Sequence, residues 1–384
     1  MRNFKKIKRV IIKIGSSSIT DVKFGVKTDV LDNIMEMAYK LKELGISLTI
    51  VSSGAIATGM HELNFSEKPK DLSLKQACAS VGQAKLMECY NNSAKKYGLI
   101  TGQILVSHDD FGIRHRTNLL SNTLDAMIKN GIIPIINEND TLAVDEIKVG
   151  DNDTLSSYVA PMIRADLLIL FSDIDGLYDK NPKIYPDAKL IPVVEKIDKK
   201  IVSYAGGATS NVGTGGMATK INAALISTSA GCNMLICNSN KINELLSIVK
   251  GEVIGTLFLS NKNAISSREH WMIFTSNSYG DIIVDEGLEK ALKEKKVSIL
   301  SKGVIKVVGS FLEGKVINIM NNNGEIIAKG ETNYSSEDIL KLIGHDSSDF
   351  SKILGRNGLK PEIIHANKMV VLRNDLYGRT IKKM

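Results

Sequence analysis

The chain has no apolar stretch long enough to cross a membrane, no internal repeat and no low-complexity tract. A spanning helix needs about 20 apolar residues, so no segment reads as a membrane-crossing helix. Cysteine is scarce as well: Cys78, Cys89, Cys232 and Cys237 are the only four in 384 residues. Their spacing fits no zinc site, and so few thiols in apolar surroundings read as reduced cysteines of a cytoplasmic protein rather than a disulfide framework. Concentrated charge is also missing. The net charge is +7, but the segment from residue 281 onward holds 17 Lys/Arg against 14 Asp/Glu, or +3, leaving +4 for the rest. With aromatics at 5% of the chain, little is on offer for tracking phosphates or stacking bases, which argues against nucleic-acid binding as the main function. The opening "MRNFKKIKRVIIKIG" is basic then apolar, like a signal peptide, but its apolar run is short and broken by Lys13, so it reads as a first strand.

What the chain does have is an alternating pattern. "VIIKI" (10–14), "SLTIVS" (47–52), "LITGQILV" (99–106), "IIPIIN" (132–137), "DLLILF" (166–171) and "NMLICN" (233–238) are short continuous apolar runs, as expected of strands buried on both faces. Between the first two, Leu31, Ile34, Met35, Ala38 and Leu41 fall on one helical face, with Thr28 or Asp29 as a cap and Gly45 as a stop. Further helices fit 73–97, 114–130, 153–164 and 217–230. This order predicts an α/β fold: a three-layer α/β/α sandwich around a mainly parallel sheet. The pattern closes with "TLFL" (256–259) and breaks at the polar "SNKNAISSREHW" (260–271). The expected organisation is therefore a catalytic domain over 1–260, a linker over 261–280 and a small, mostly β domain over 281–384.

Three segments compete as phosphate loops. "GSFLEGKV" (309–316) approaches the pattern G-x-x-x-x-G-K-[ST] but ends in Val316 where a metal-binding hydroxyl belongs, and it leads into a strand-like run, so it reads as a turn. "GTGGMA" (213–218) can be aligned to a dinucleotide fingerprint, yet a small-residue loop rather than a strand precedes it. The stretch "TGGMATK" (214–220) is left as a phosphate cradle. Gly215 and Gly216 allow close backbone approach, Thr214 and Thr219 add hydroxyls, a helix opens there, and Lys220 follows within one turn. Lys13 lies in a strand otherwise buried on both faces, where a charge is expensive unless paired. It precedes Gly15 and three serines, and "SSGAIATG" (52–59) and "SDIDGLYDKNP" (172–182) follow strands in the same way. In open parallel sheets that edge is where ligands bind.

Together, "IKIGSSSIT", "VSSGAIATG", "PIINENDT", "IKVGDNDTLS", "FSDIDGLYDKNP" and "GTGGMATK" resemble the amino acid kinase family, and "INEND" with "VGDND" resembles its glutamate-phosphorylating branch. The tail resembles a PUA domain. The resemblance implies phosphoryl transfer from ATP, with Mg²⁺, to the γ-carboxylate of L-glutamate. Carried onto this sequence, it implies that Lys13, Gly15, Ser172, Asp173 and the loop Thr214, Gly215, Gly216, Met217, Ala218, Thr219 and Lys220 serve ATP. It places Ser53, Asp140 and Asn152 at glutamate. It also implies inhibition by proline and a homo-oligomer; which residues hold the metal stays open.

The chemistry agrees. A glutamate side chain has a pKa of about 4.3 and is already ionised near neutrality, so the nucleophile needs no base; none of the six histidines lies in these motifs. Bringing two anions together calls for positive charge and positioning, which Lys13 and Lys220 supply. Two lysines at one site repel, so an acidic organiser is expected between them: Asp151 or Asp153, with Asp153 preferred. Asp140 can accept from the substrate ammonium, while Ser53 and Asn152 can donate to carboxylates. Competing readings are an acceptor such as N-acetylglutamate, aspartate or UMP, and RNA binding through the tail.

Overall fold

The computed structural model describes residues 2, 4, 7–142, 152–205 and 216–372. Two units separate: one holds the residues up to 111 and 115–265, the other residues 112–114 and those from 266 onward.

In the first unit the strands are β1 (Arg9–Ile14), β2 (Thr20–Asp21), β3 (Gly25–Val26), β4 (Ser47–Ser52), β5 (Ile100–Val106), β6 (Ile132–Glu138), β7 (Leu167–Ser172), β8 (Val193–Val194), β9 (Asn233–Asn238) and β10 (Thr256–Phe258). Eight of them form one sheet in the order β5-β6-β4-β1-β7-β9-β10-β8. The pairs from β5 to β9 are parallel; β10 pairs antiparallel with β9 and parallel with β8, so these last two strands run opposite to the rest. All six apolar runs are strands of this sheet, and Val10, Ile11, Ile12, Ile14 and every residue of Leu167–Phe171 are fully buried. After β6 the chain passes to the far side of β1 to make β7, so β4 and β7 flank β1. Lys13 pairs in register with Val51 on one side and Leu170 on the other.

The expected helices form over Thr28–Glu43, Leu72–Lys95, Arg114–Lys129, Asn152–Met162 and Met217–Ser229. The first carries no side-chain cap: Lys27 precedes it, and Thr28 and Asp29 already lie inside its first turn. Gly45 ends it as expected, with φ +71. A helix that the apolar pattern does not announce, Ala55–Glu62, follows β4 and packs very closely on Leu72–Lys95. A Cβ on Gly59 would stand 1.8 Å from the Cys78 carbonyl oxygen, and one on Gly82 1.9 Å from that of Ala55. Those two glycines let the backbones touch, which fixes the turn Ser52–Gly54 at the sheet edge.

The second unit contains β11 (Asp281–Val284), β12 (Val304–Val308), β13 (Val316–Met320), β14 (Ile326–Glu331) and β15 (Met369–Val371), ordered β12-β11-β13-β14-β15. "GSFLEGKV" is the connection from β12 into β13, with Val316 as the first strand residue, so it opens no helix and is no phosphate loop. Within 261–280, where sequence pattern suggests a linker, lies the helix Ser267–Phe274. Ser266 and Glu269 form a capping box at its start, and it buries His270, Met272, Ile273 and Phe274.

Candidate active site

Parallel pairing puts the C-terminal ends of β1, β4, β6 and β7 on one edge, and the loops after them carry the residues singled out by sequence. Two helices begin there. Asn152–Met162 and Met217–Ser229 pack against each other, and both bury many small residues, Ser156, Ser157 and Ala160 on one, Ala223, Ala224 and Ser227 on the other. The buried hydroxyls are satisfied inside their own helices: Ser156 Oγ donates to the Asp153 carbonyl, Ser157 Oγ to Thr154 and Ser227 Oγ to Ala223. This close approach brings the first turns of the two helices together beside β1.

Asp153 sits in that first turn, with its side chain only 1% exposed. Its Oδ2 accepts a hydrogen bond from Lys220 Nζ at 2.8 Å. Its Oδ1 lies 2.6 Å from Lys13 Nζ, an ion pair. Burial alone would push this carboxyl up, but the Lys13 and Lys220 ammonium groups outweigh it and hold the pKa below its ordinary 3.8. The Lys13 and Lys220 side chains are 12% and 6% exposed, so three charges share a nearly dry space. Lys13 is thus paired, not snorkelling at an edge.

A second cluster adjoins it. Asn152 Nδ2 reaches Ser53 Oγ at 2.6 Å, the Ser52 carbonyl at 3.2 Å and Asn137 Oδ1 at 3.1 Å. The turn that offers Ser53 contains Gly54 at φ +106, where a Cβ would also meet Thr20 at 2.9 Å; only glycine fits. Below it Ser52 Oγ donates to the Ser53 carbonyl, 3.1 Å, which leaves the Tyr90 hydroxyl to donate to Ser52 Oγ at 3.0 Å. Burial pushes the Tyr90 phenol pKa up, so it keeps that proton.

Asp140 follows β6, its backbone N–H donating to the Glu138 carbonyl at 2.9 Å. Ser172 is buried at the end of β7 and donates to Asp173 Oδ1, 3.0 Å, while Asp173 itself is exposed. Gly15 and Gly216 precede helices, and a Cβ on either would meet nothing within 4 Å. Among the described residues no side chain caps the helix that Gly216 opens. Its first-turn residues Met217, Ala218 and Thr219 therefore keep N–H groups suited to an anion, and Thr219 Oγ1 donates to the Gly216 carbonyl at 2.8 Å. Thr214, Gly215 and Asp151 lie outside the described residues. Sequence reasoning missed Gln83 and Tyr90; both lie on the buried face of Leu72–Lys95, in the series Ala79, Gln83, Leu86, Tyr90, where a polar group among apolar ones was the available signal.

A parallel sheet whose C-terminal edge gathers two largely buried lysines on one aspartate beside a helix start offers the fixed positive charge that enzymes of the kinase class need. The profile of the amino acid kinase family matches residues 8–238, and the PUA domain profile matches residues 280–354. The chain belongs to the amino acid kinase family. It is 44% identical over 371 residues to the glutamate 5-kinase of Caldanaerobacter subterraneus subsp. tengcongensis, covering 96% of this chain and 100% of that protein. It is 42% identical over 369 residues to the glutamate 5-kinase of Carboxydothermus hydrogenoformans, covering 96% and 98%. Among solved structures it is similar to the isopentenyl phosphate kinase of T. acidophilum, with TM-score 0.45 and 18% identity over 65% of this chain and 100% of that one.

Proposed function

We propose that the protein transfers the γ-phosphoryl group of ATP to the γ-carboxylate of L-glutamate, releasing ADP and γ-glutamyl phosphate, the first step of proline synthesis. The observation that carries this reading is Asp153 held between Lys13 and Lys220, with the Ser53–Asn152 pair alongside. The names of relatives matched along their whole length support the choice of acceptor.

In this reading Lys13 and Lys220 bind the phosphates of ATP and stabilise the charge that spreads over the transferred group. Asp153 holds the two ammonium groups at a fixed separation without itself taking a proton. Gly15, Ser172, Asp173 and the helix start from Gly216 to Thr219 belong to the nucleotide, together with Thr214 and Gly215. Ser53 and Asn152 donate to a substrate carboxylate, and Asp140 accepts from its ammonium. Because the acceptor carboxylate is ionised at neutral pH, the residues need only position and neutralise. Mg²⁺, when bound, neutralises phosphate oxygens. Among the described residues no three His, Cys, Asp or Glu gather as metal ligands.

The remaining parts of the reading are cytoplasmic residence, supported by four free cysteines, a homo-oligomer, and feedback inhibition by proline. Residues 1–260 would suffice for catalysis, with the PUA-like tail tuning regulation or assembly. Among the described residues no helix is long and apolar enough to cross a membrane. The test is ADP release with glutamate, N-acetylglutamate, aspartate and UMP offered separately. Turnover with glutamate alone is expected; N-acetylglutamate as the better acceptor would overturn the role of Asp140, since that substrate has no ammonium.

A further inference from the structure

Gln83 lies one layer behind the glutamate pocket, 7% exposed on the helix Leu72–Lys95. The network in front of it has a direction that backbone groups impose. The Glu138 N–H, which can only donate, reaches Asn137 Oδ1 at 2.9 Å, so the Asn137 amide must face it with oxygen. Its nitrogen then points the other way, and Nδ2 donates to Gln83 Oε1 at 3.0 Å. At the other end, the Ser52 carbonyl can only accept, so Asn152 must present Nδ2 there. That same nitrogen reaches Asn137 Oδ1 and Ser53 Oγ. A serine hydroxyl that accepts from Asn152 cannot turn its own hydrogen toward that donor, and among the described residues the Ser53 hydroxyl has no acceptor. Its hydrogen is left for a ligand.

We propose that Gln83 is a positioning residue of the acceptor pocket: by accepting from Asn137 it holds in place the Asn137–Asn152–Ser53 chain, whose sense makes Ser53 a donor to a substrate carboxylate. The proposal rests on the glutamate reading above and deepens it. With an acceptor at position 83, Asn137 can present oxygen to both Glu138 N–H and Asn152. Without one, the Asn137 nitrogen is buried unpaired; Glu138 N–H still fixes which way the amide faces, so the side chain shifts instead of turning, and its oxygen holds Asn152, and through it Ser53, less firmly. Gln83 Nε2 contributes little to this, reaching only Gln103 Oε1 at 3.5 Å.

The test replaces Gln83 with methionine or leucine, which keep much of the volume but lose the acceptor, in the full-length enzyme. Gln83→Met should raise KM for glutamate about tenfold, the scale of one buried amide left unpaired, and leave KM for ATP within about twofold and kcat within about threefold. Ser53→Ala supplies the readout that a structural role would not move. In the Ser53→Ala background, adding Gln83→Met should change KM for glutamate by less than about twofold, because the hydroxyl it orients is gone. Gln83→Leu gives the same measurements if the methionine variant does not fold. Effects that multiply in the double variant, an equal rise in both Michaelis constants, or unfolding of both single variants would each overturn the proposal. Wild-type enzyme without glutamate-dependent ADP release would instead overturn the glutamate reading, so the two failures are told apart.

Discussion

Replacing Asp153 with asparagine keeps the shape of the side chain and removes its charge, and the effect can be worked out from the two lysines it touches. In the native site Lys13 and Lys220 stand 2.6 and 2.8 Å from the two oxygens of one buried carboxylate. Asparagine can present an oxygen to only one of them and turns an amide nitrogen, itself a donor, toward the other. Two unit charges about 5 Å apart repel by about 3 kcal/mol at an effective dielectric of ~20. With no carboxylate to offset that repulsion, the ammonium groups should separate or one should swing out, so that only one still meets the transferring phosphoryl group. A loss of about 3 kcal/mol of transition-state stabilisation corresponds to roughly a hundredfold drop in kcat. The assay is glutamate-dependent ADP release at saturating substrates, with thermal unfolding in parallel. A well-folded Asp153→Asn enzyme that keeps more than about a third of wild-type kcat would refute the organising role. A second signature is its pH dependence. Because the folded-state pKa of Asp153 is lowered, its contribution to stability is fully present above the unfolded value of about 3.9 and is lost as pH falls through the folded value. The stability gap between wild type and Asp153→Asn should thus be constant near neutrality and close only in strong acid.

Lys220→Met should lower kcat by about 10²–10³-fold, the scale of one electrostatic donor aimed at developing charge, with little change in KM for glutamate; steady-state kinetics on a folded variant check it. Asp140→Ala should raise KM for glutamate by at least about tenfold, since truncating a charged partner of a buried ammonium commonly costs about 2–5 kcal/mol, and should leave KM for ATP nearly unchanged. In the second unit Lys329 is buried, donates to the Ser276 carbonyl at 3.0 Å, and has its pKa pushed down to about 8 by burial. The unfolded chain then holds more protons than the folded one between about pH 8 and 10.5, so this group adds stability as pH rises through that window; calorimetry should show the rise reduced in Lys329→Met.

The sheet is legible in the sequence because burial on both faces leaves so plain a mark: "VIIKI" and "DLLILF" are short continuous apolar runs recurring between helical segments. Lys13 is legible for the same reason, as a charge where none should be. The antiparallel turn of β10 is not, since three apolar residues carry no direction. Nor is the helix Ser267–Phe274, whose polar start is a capping box and reads as loop until its buried face is known. In the site, charge can be placed by electrostatic need, which is why Asp153 is expected between two lysines. Neutral amides cannot be placed that way. Asn137 and Gln83 matter through the direction of their hydrogen bonds, and direction depends on which backbone groups stand nearby in space.

The two clusters at the sheet edge solve different problems with different chemistry. At Asp153 two ammonium groups meet one carboxylate, so a net positive charge stays in a space that water barely enters, and an anion entering it is attracted with little screening. Long, mobile lysines hold such a geometry only if their surroundings are stiff, and the stiffness comes from small residues: the Ser–Ala faces of Asn152–Met162 and Met217–Ser229 let the helix starts approach, and Gly59 against Gly82 fixes the turn at Ser53. The Ser53–Asn152 pair itself carries no charge, so what it adds to the proposed selectivity, beside Asp140, comes from donors that point one way. In the proposed reading a carboxylate is welcomed there only while the hydroxyl points outward, which would make the buried amides behind the pocket matter for acceptor choice as the lysines do for rate.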